Sequence, residues 1–110
     1  MHKEEIKLEN NNKAYVNLYN GENAPGLVGF ATVMYNVLRI SGIQIRLKKD
    51  GENTYVDFPH TFRKKDGEYV KDENGYSIKD YIVNPLSKEV RQEIEELIDS
   101  ALAEALDKAQ

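Results

Sequence analysis

The sequence predicts an α+β domain in which a curved antiparallel β-sheet of four to five strands is followed by one long C-terminal amphipathic helix. Apolar and polar residues alternate through much of the first half of the chain, in segments separated by glycine-containing turn signals. Residues 86–110 instead repeat their apolar residues at helical spacing. With 110 residues, the chain is long enough for one domain and too short for two.

The first two predicted strands differ in pattern. Residues 14–19 alternate between apolar and polar side chains, as in a strand with one buried face. Residues 27–35 are apolar on both faces, which is typical of a strand inside a sheet. Because one helix shields only one face of a sheet, we expect a second copy of the chain to bury the other face, giving a sheet-mediated homodimer.

The next two strands are predicted to form a hairpin. Residues 37–47 are rich in β-forming residues and are interrupted at Ser41 and Gly42, where a bulge or bend is expected. The Asp50–Gly51 pair is a hairpin turn signal, and the returning strand ends at Pro59. The side chains predicted to point inward are Ile43, Ile45, Leu47, Thr54, Val56 and Phe58.

Residues 60–79 are polar and contain two turn signals, Asp66–Gly67 and Asn74–Gly75. They predict either a long loop or an irregular hairpin, and a segment of this length inside a small domain is usually functional or disordered. The following Tyr81, Ile82 and Val83 are expected to pack on the core.

The last element is a predicted helix from Lys88 to about Lys108, with Ser87 as its N-cap. Acidic residues cluster in its first half, where the positive end of the helix dipole favours them. Its apolar stripe is interpreted as core packing and consists of Val90, Ile94, Leu97, Ile98, Ala101, Leu102 and Ala105.

These elements divide the chain into a loose leader, residues 1–12, and a single domain, residues 13–108. The absence of cysteine excludes disulfides, thiolate zinc sites and cysteine nucleophiles. The sequence has no apolar run long enough to span a membrane and no signal-peptide pattern. We therefore expect a cytoplasmic protein without a membrane partner.

Charge is distributed unevenly. Fifteen basic and nineteen acidic residues give a net charge of −4, which argues against a chain that coats nucleic acid as a whole. Residues 39–71 nevertheless hold eight basic and five acidic side chains, whereas residues 86–110 hold three and seven. Any binding of a polyanion is therefore expected at a local patch in the middle of the chain.

No catalytic constellation stands out. The two histidines, His2 and His60, do not suffice for a two-histidine metal site or an identifiable triad, and no phosphate-binding glycine motif is present. We expect no enzyme activity, no cofactor and no small-molecule substrate.

One stretch carries a family resemblance. The run TYVDFPHTFRKKDGEY, followed by IVNPL and a helix that opens SKEVRQEIEELI, resembles the stage V sporulation protein G (SpoVG) family of bacterial septation regulators. The likeness spans residues 13–106. The chain departs from the family pattern at His60, where serine is usual, at Asn84, where histidine is common, and by residues added in the basic loop and around 73–78.

The resemblance implies a small homodimer that binds DNA, and in some members RNA, and that regulates gene expression or septation without catalysis. Long cationic side chains on an exposed loop can reach phosphates, and a dimer doubles the patch. Phe62 and Tyr69 lie among these charges, where they would either stack on bases or pin the loop to the core. The candidate nucleic-acid-binding residues are Arg63, Lys64, Lys65, His60, Thr61, Lys71 and Arg46.

A second hypothesis belongs to another class. The acidic C-terminal helix or the uncovered sheet face would bind a protein partner, and the protein would then be an interaction module. Binding of nucleic acid at low salt discriminates between the two hypotheses.

Overall fold

The strands precede a single long helix in the computed structural model, which describes residues 12–109. The predicted leader therefore lies outside the described residues except for Asn12. In chain order the elements are β1 (Lys13–Leu18), β2 (Leu27–Tyr35), β3 (Leu38–Leu47), β4 (Thr54–Asp57), β5 (His60–Phe62), β6 (Lys64–Lys65), β7 (Glu68–Tyr69), β8 (Lys79–Tyr81) and α1 (Lys88–Lys108).

The main sheet is antiparallel and has four strands in the order β1-β2-β3-β4. The α+β class is thereby confirmed, and β2 lies inside the sheet, as its two apolar faces predicted. The other four strands form two small sheets, β5 with β8 and β6 with β7. Sequential strands are neighbours throughout the main sheet, which is the arrangement that short hairpin connections produce.

The predicted irregularity in β3 is a β-bulge. Ala31 pairs with Ile43 and Val33 pairs with Ile40, so that Ser41 and Gly42 together face the single residue between Ala31 and Val33. Gly42 has a φ of +76°, which glycine adopts without steric cost. The extra residue shifts the alternation by one position, and Ile40 and Ile43 therefore point to the same face of the sheet.

The core lies between that face and α1, which packs mainly against β1 and β2. Of the side chains predicted to point inward, Leu47 is the exception, since 40% of it is exposed. It is the last residue of β3 and extends past the end of the core cluster. The buried apolar residues are Ala31, Val33, Ile40, Ile43, Ile45, Val56 and Phe58 from the sheet side and Ile94, Ile98 and Leu102 from the helix.

The packing predicted for residues 81–83 is wrong for two of the three. Val83 packs against the core, but Tyr81 and Ile82 are 45% and 69% exposed. Tyr81 pairs with His60, and the N–H of Ile82 donates a hydrogen bond to the carbonyl of Pro59 at 2.8 Å. The chain therefore runs back antiparallel to β5 and does not cross the core at Tyr81 and Ile82.

Residues 60–81, hereafter the arm, project from this body. The radius of gyration is 16.5 Å, with principal extents of 53 × 38 × 22 Å. A compact domain of this length would have a radius of gyration of about 13 Å. No helix within residues 12–109 is long and apolar enough to cross a membrane.

The predicted start of the helix is confirmed. The Ser87 hydroxyl accepts a hydrogen bond from the N–H of Val90 at 3.3 Å, and Ser87 itself has extended backbone angles. Glu89 in the first turn and Lys108 in the last turn both complement the helix dipole.

Replacing Ser87 by alanine removes this cap and should lower the free energy of unfolding by about 1 kcal/mol. Ser100→Ala, the same change at an exposed position inside α1, is the matched control and should be neutral or slightly stabilising because alanine favours helix. Urea unfolding followed by circular dichroism measures both. Equal effects of the two substitutions would show that the hydroxyl of Ser87 does not stabilise the helix.

Candidate nucleic-acid interface

The arm is an irregular hairpin whose stem, β5 with β8, branches into two tips. Three backbone hydrogen bonds form the branch point: Arg63 N–H to the Ile78 carbonyl at 2.9 Å, Val70 N–H to the Arg63 carbonyl at 2.9 Å, and Ile78 N–H to the Val70 carbonyl at 3.1 Å. Residues 64–69 form the first tip and residues 71–77 the second. The irregular hairpin is thus the correct one of the two alternatives for residues 60–79.

Two of the acidic residues in the arm build its turns. Asp66 and Gly67 have φ angles of +54° and +82°, so both central residues of the first tip adopt the left-handed conformation of a two-residue hairpin turn. In the second tip the carboxylate of Asp72 accepts hydrogen bonds from the N–H groups of Asn74 and Tyr76 at 2.9 and 3.0 Å. These roles in the turns account for Asp66 and Asp72 without a bound ligand.

Four aromatic side chains form a continuous row along one side of the arm, hereafter the aromatic strip: Tyr81, His60, Phe62 and Tyr69. Neighbouring ring centroids are 5.6, 5.2 and 6.2 Å apart, each pair in edge-to-face geometry. Tyr81, Phe62 and Tyr69 are 45%, 45% and 53% exposed. Phe62 therefore packs against other rings of the arm and still offers a surface to solvent.

The three consecutive cations predicted to bind nucleic acid, Arg63 at the branch point and Lys64 and Lys65 in the first tip, have different environments. The Lys64 ammonium lies over the Tyr69 ring, 4.7 Å from its centroid, and so is in contact with the end of the aromatic strip. Lys65 is exposed and pairs across the hairpin with Glu68. Because neighbouring residues of a strand point to opposite sides, Lys64 and Lys65 do not form one patch.

Arg63 is held by Asp80 in a bidentate ion pair. Its Nη2 and Nε atoms donate hydrogen bonds to the two carboxylate oxygens at 2.6 and 3.1 Å. The hydrogen bond from Arg63 lowers the pKa of the Asp80 carboxyl below its ordinary value, and the same bond raises the pKa of Arg63. Both groups therefore stay ionised at neutral pH, and the guanidinium already has an anionic partner.

Of the remaining four candidate residues, three lie in the arm and one lies on the main sheet. His60 Nδ1 lies 2.8 Å from the Phe58 carbonyl, Lys71 Nζ donates to the Ser77 hydroxyl at 3.0 Å, and Thr61 is exposed. Arg46 lies on β3, where its Nε donates to Gln44 Oε1 at 2.8 Å. The structure thus brings six of the seven candidate residues into the arm and places Arg46 on the main sheet.

A buried carboxylate joins the arm to the sheet, which sequence reasoning missed. Asp57, at the end of β4, is 6% exposed and lies 2.9 Å from Lys79 Nζ and 3.7 Å from His60 Nδ1. The ion pair with Lys79 spans 22 positions of sequence. The only local signal was an aspartate between two apolar residues, Val56 and Phe58, that are both buried in the core.

The net charge of the arm is zero, because it contains five basic and five acidic side chains. The positive balance of residues 39–71 is therefore not a property of the arm as a whole. Any attraction for phosphates would therefore depend on individual cations and not on the net charge of the arm.

The face of the main sheet opposite α1, hereafter the open face, differs from the expected apolar surface. Strand register places polar and cationic side chains beside Phe30, Thr32 and Met34 of β2. Tyr15, Phe30 and Tyr55 are 51%, 40% and 41% exposed there. The other residues of the open face are Lys13, Asn17, Arg39, Gln44, Arg46 and the buried Asp57. Homodimer formation through this sheet stays a prediction.

No family model, curated protein or solved structure matches this chain. The likeness to the SpoVG family therefore stays a resemblance in the sequence. Within residues 12–109 no group of three or more His, Cys, Asp and Glu side chains is placed to hold a metal ion.

Replacing Lys79 by methionine should lower the free energy of unfolding by about 1–3 kcal/mol, because it leaves the buried Asp57 carboxylate without its main partner. The matched control is Lys71→Met in the second tip, where the lysine is exposed and the effect should stay within about 0.5 kcal/mol. Denaturant unfolding of both variants measures the difference. Equal small effects would show that the ion pair does not stabilise the junction.

Proposed function

We propose that the protein is a non-enzymatic, homodimeric regulator that binds nucleic acid through its arm. One observation carries the proposal: the aromatic strip, in which Tyr81, Phe62 and Tyr69 are exposed, ends in Tyr69 with a lysine ammonium on its face. Rings stack on bases, and neighbouring cations contact phosphates, which is how sequence-tolerant nucleic-acid surfaces are built.

The three cations Arg63, Lys64 and Lys65 are not equally available to phosphates. Lys64 and Lys65 are exposed and can reach phosphates directly. Arg63 contributes only where a phosphate competes with the Asp80 carboxylate for the guanidinium, at a mutual distance of 2.6 Å. With few free cations, affinity should be modest and should fall by about one power of salt concentration for each phosphate neutralised.

The proposed homodimer uses the sheet. Among the described residues, β1 is the outermost strand at one edge of the main sheet and pairs only with β2. An outer strand exposes N–H and C=O groups that a second copy can pair with. Joining two copies in this way would present two arms to one nucleic acid, and linked weak sites bind more tightly than either alone.

The regulatory part of the proposal, control of gene expression or septation, is supported by the resemblance of residues 13–106 to the SpoVG family. The chemistry of the arm suits either DNA or RNA, because phosphates and base faces are common to both.

Changing Arg63, Lys64 and Lys65 together to glutamate should weaken nucleic-acid binding by at least about tenfold at low salt. The matched control changes three exposed lysines outside the arm, Lys48, Lys49 and Lys88, to glutamate, which alters the net charge equally. Fluorescence anisotropy with labelled DNA and RNA measures affinity, and analytical ultracentrifugation checks that both variants stay dimeric. Equal losses in the two variants would contradict a binding site on the arm.

Asp80→Asn should tighten binding by roughly three- to tenfold and steepen the salt dependence by about one, because it releases the Arg63 guanidinium for a phosphate. Glu73→Gln, at an exposed position of the second tip, removes one negative charge from the same arm without freeing Arg63 and serves as the control. Anisotropy titrations at several salt concentrations measure both quantities. An equal gain in the two variants would show that only net charge changed.

A second candidate function is supported by the outer surface of α1. Its exposed side chains are largely acidic, among them Glu89, Glu96, Asp99, Glu104 and Asp107. Such a surface suits a basic protein partner and repels nucleic acid. Failure of the dimer to bind any DNA or RNA at low salt would favour this candidate.

A further inference from the structure

We propose that the open face of the main sheet is a binding platform for single-stranded nucleic acid, and that it continues into the aromatic strip of the arm. This inference rests on the proposed function and specifies its partner as a single strand rather than a duplex. Three properties of the open face support it: the placement of its rings, the sign of its charge and its connection to the arm.

The exposed rings run diagonally across the sheet. Tyr15 pairs with Thr32, and Asn17 pairs with Phe30, so Tyr15 and Phe30 are diagonal neighbours on adjacent strands. The Cα atoms of such diagonal neighbours are about 7–8 Å apart. Tyr55 stands on β4, where it pairs with Arg46 on β3. The face therefore presents two adjacent rings and, across the next strand, a cation beside a third ring.

The charge of the open face is positive. Lys13, Arg39 and Arg46 lie on it, and among the described residues in these register positions Asp57 is the only acid. That carboxylate is 6% exposed and is neutralised by Lys79 at 2.9 Å. The acidic side chains of α1 lie on the opposite side of the sheet. Charge on the molecule is thus separated, and the cations accompany the exposed rings.

This charge pattern favours nucleic acid over a second copy of the chain. Packing two open faces against each other would bring Lys13, Arg39 and Arg46 of both copies into one interface. The centre of a stable protein interface is depleted of charge, and like charges placed together cost several kcal/mol. Phosphates of a nucleic acid would instead be attracted by the same three side chains.

The open face and the aromatic strip meet at Asp57. Asp57 pairs with Gln44 and belongs to the open face, yet its carboxylate contacts Lys79 and His60 of the arm. His60 is in turn a member of the aromatic strip. The base of the arm therefore adjoins the open face, and in the proposed platform the exposed rings of the arm extend the track that begins on the sheet.

A track of this kind selects single strands. Bases in a duplex are stacked on each other and cannot stack on protein side chains, whereas unpaired bases can. Sheets with exposed aromatic residues are a common form of single-strand platform, because each ring accepts the face of any base. The cations at the side of the rings then contact the sugar–phosphate backbone.

The test uses the double variant Tyr15→Ala/Phe30→Ala of the full chain and labelled oligothymidylate of about 12 nucleotides, a length that suits a small platform. We expect the affinity for this single strand to fall by at least roughly 30-fold, as loss of base stacking on two rings implies. The ring-preserving variant Tyr15→Phe/Phe30→Tyr should retain at least about a third of the affinity, as every base retains a ring to stack on. Leu86→Ala, at a residue that is 95% exposed outside the track, is the control.

The outcomes separate this inference from the proposed function. Unchanged affinity of the alanine variant, together with lost affinity of the glutamate variant of Arg63, Lys64 and Lys65, overturns the platform and supports the arm. Conversion of the alanine variant from dimer to monomer in ultracentrifugation overturns the platform and assigns the open face to a second copy. Failure of the unmodified protein to bind either the single strand or a duplex overturns both. Weaker binding by an alanine variant that stays dimeric and folded, with the ring-preserving variant unaffected, supports the platform.

Discussion

The packing of α1 on one face of the sheet is the contact on which the rest of the molecule depends. Ile94, Ile98 and Leu102 bury the apolar face of β1 to β3, and a single helix about 10 Å wide has no further apolar stripe to offer. The Arg91 guanidinium extends this contact to the end of β4, where it lies 5.0 Å from the Phe58 ring centroid. The surfaces that this packing leaves uncovered are therefore the open face and the arm.

Acidic and cationic side chains lie on different sides of the molecule, which the net charge of −4 alone does not show. Acidic side chains lie on the outside of the helix, rings and cations lie on the open face, and further rings line the arm. A polyanion that approaches from the helix side would be repelled by the acidic side chains, whereas one that approaches from the opposite side would meet cations and exposed rings. The acidic helix would thus restrict the proposed binding to the opposite side of the molecule and would also weaken it.

Local signals in the sequence predicted most of the fold. The two apolar faces of residues 27–35, the glycine at the bulge and the serine before the helix each act within a few residues, and each feature was found where it was expected. Leu47 and Ile82 were assigned to the core wrongly, because periodicity does not show where an element ends relative to its neighbours. The pairs Asp57–Lys79 and Arg63–Asp80 join residues 22 and 17 positions apart, and such contacts have no local pattern. They decide which cations of the candidate site are free.

The branched form of the arm has a consequence for dynamics. Residues 61–69 are all exposed, and the branch point is held by three backbone hydrogen bonds with little apolar burial around them. A unit of this kind opens at a much lower free energy than the core and exchanges its amide hydrogens independently of it. Since Asp57 ties only the base of the arm, the two tips are free to adjust to a ligand while the sheet stays rigid. A nucleic-acid strand bound as proposed along the sheet and the arm would suppress that opening, so that binding and ordering of the arm would be one thermodynamic event.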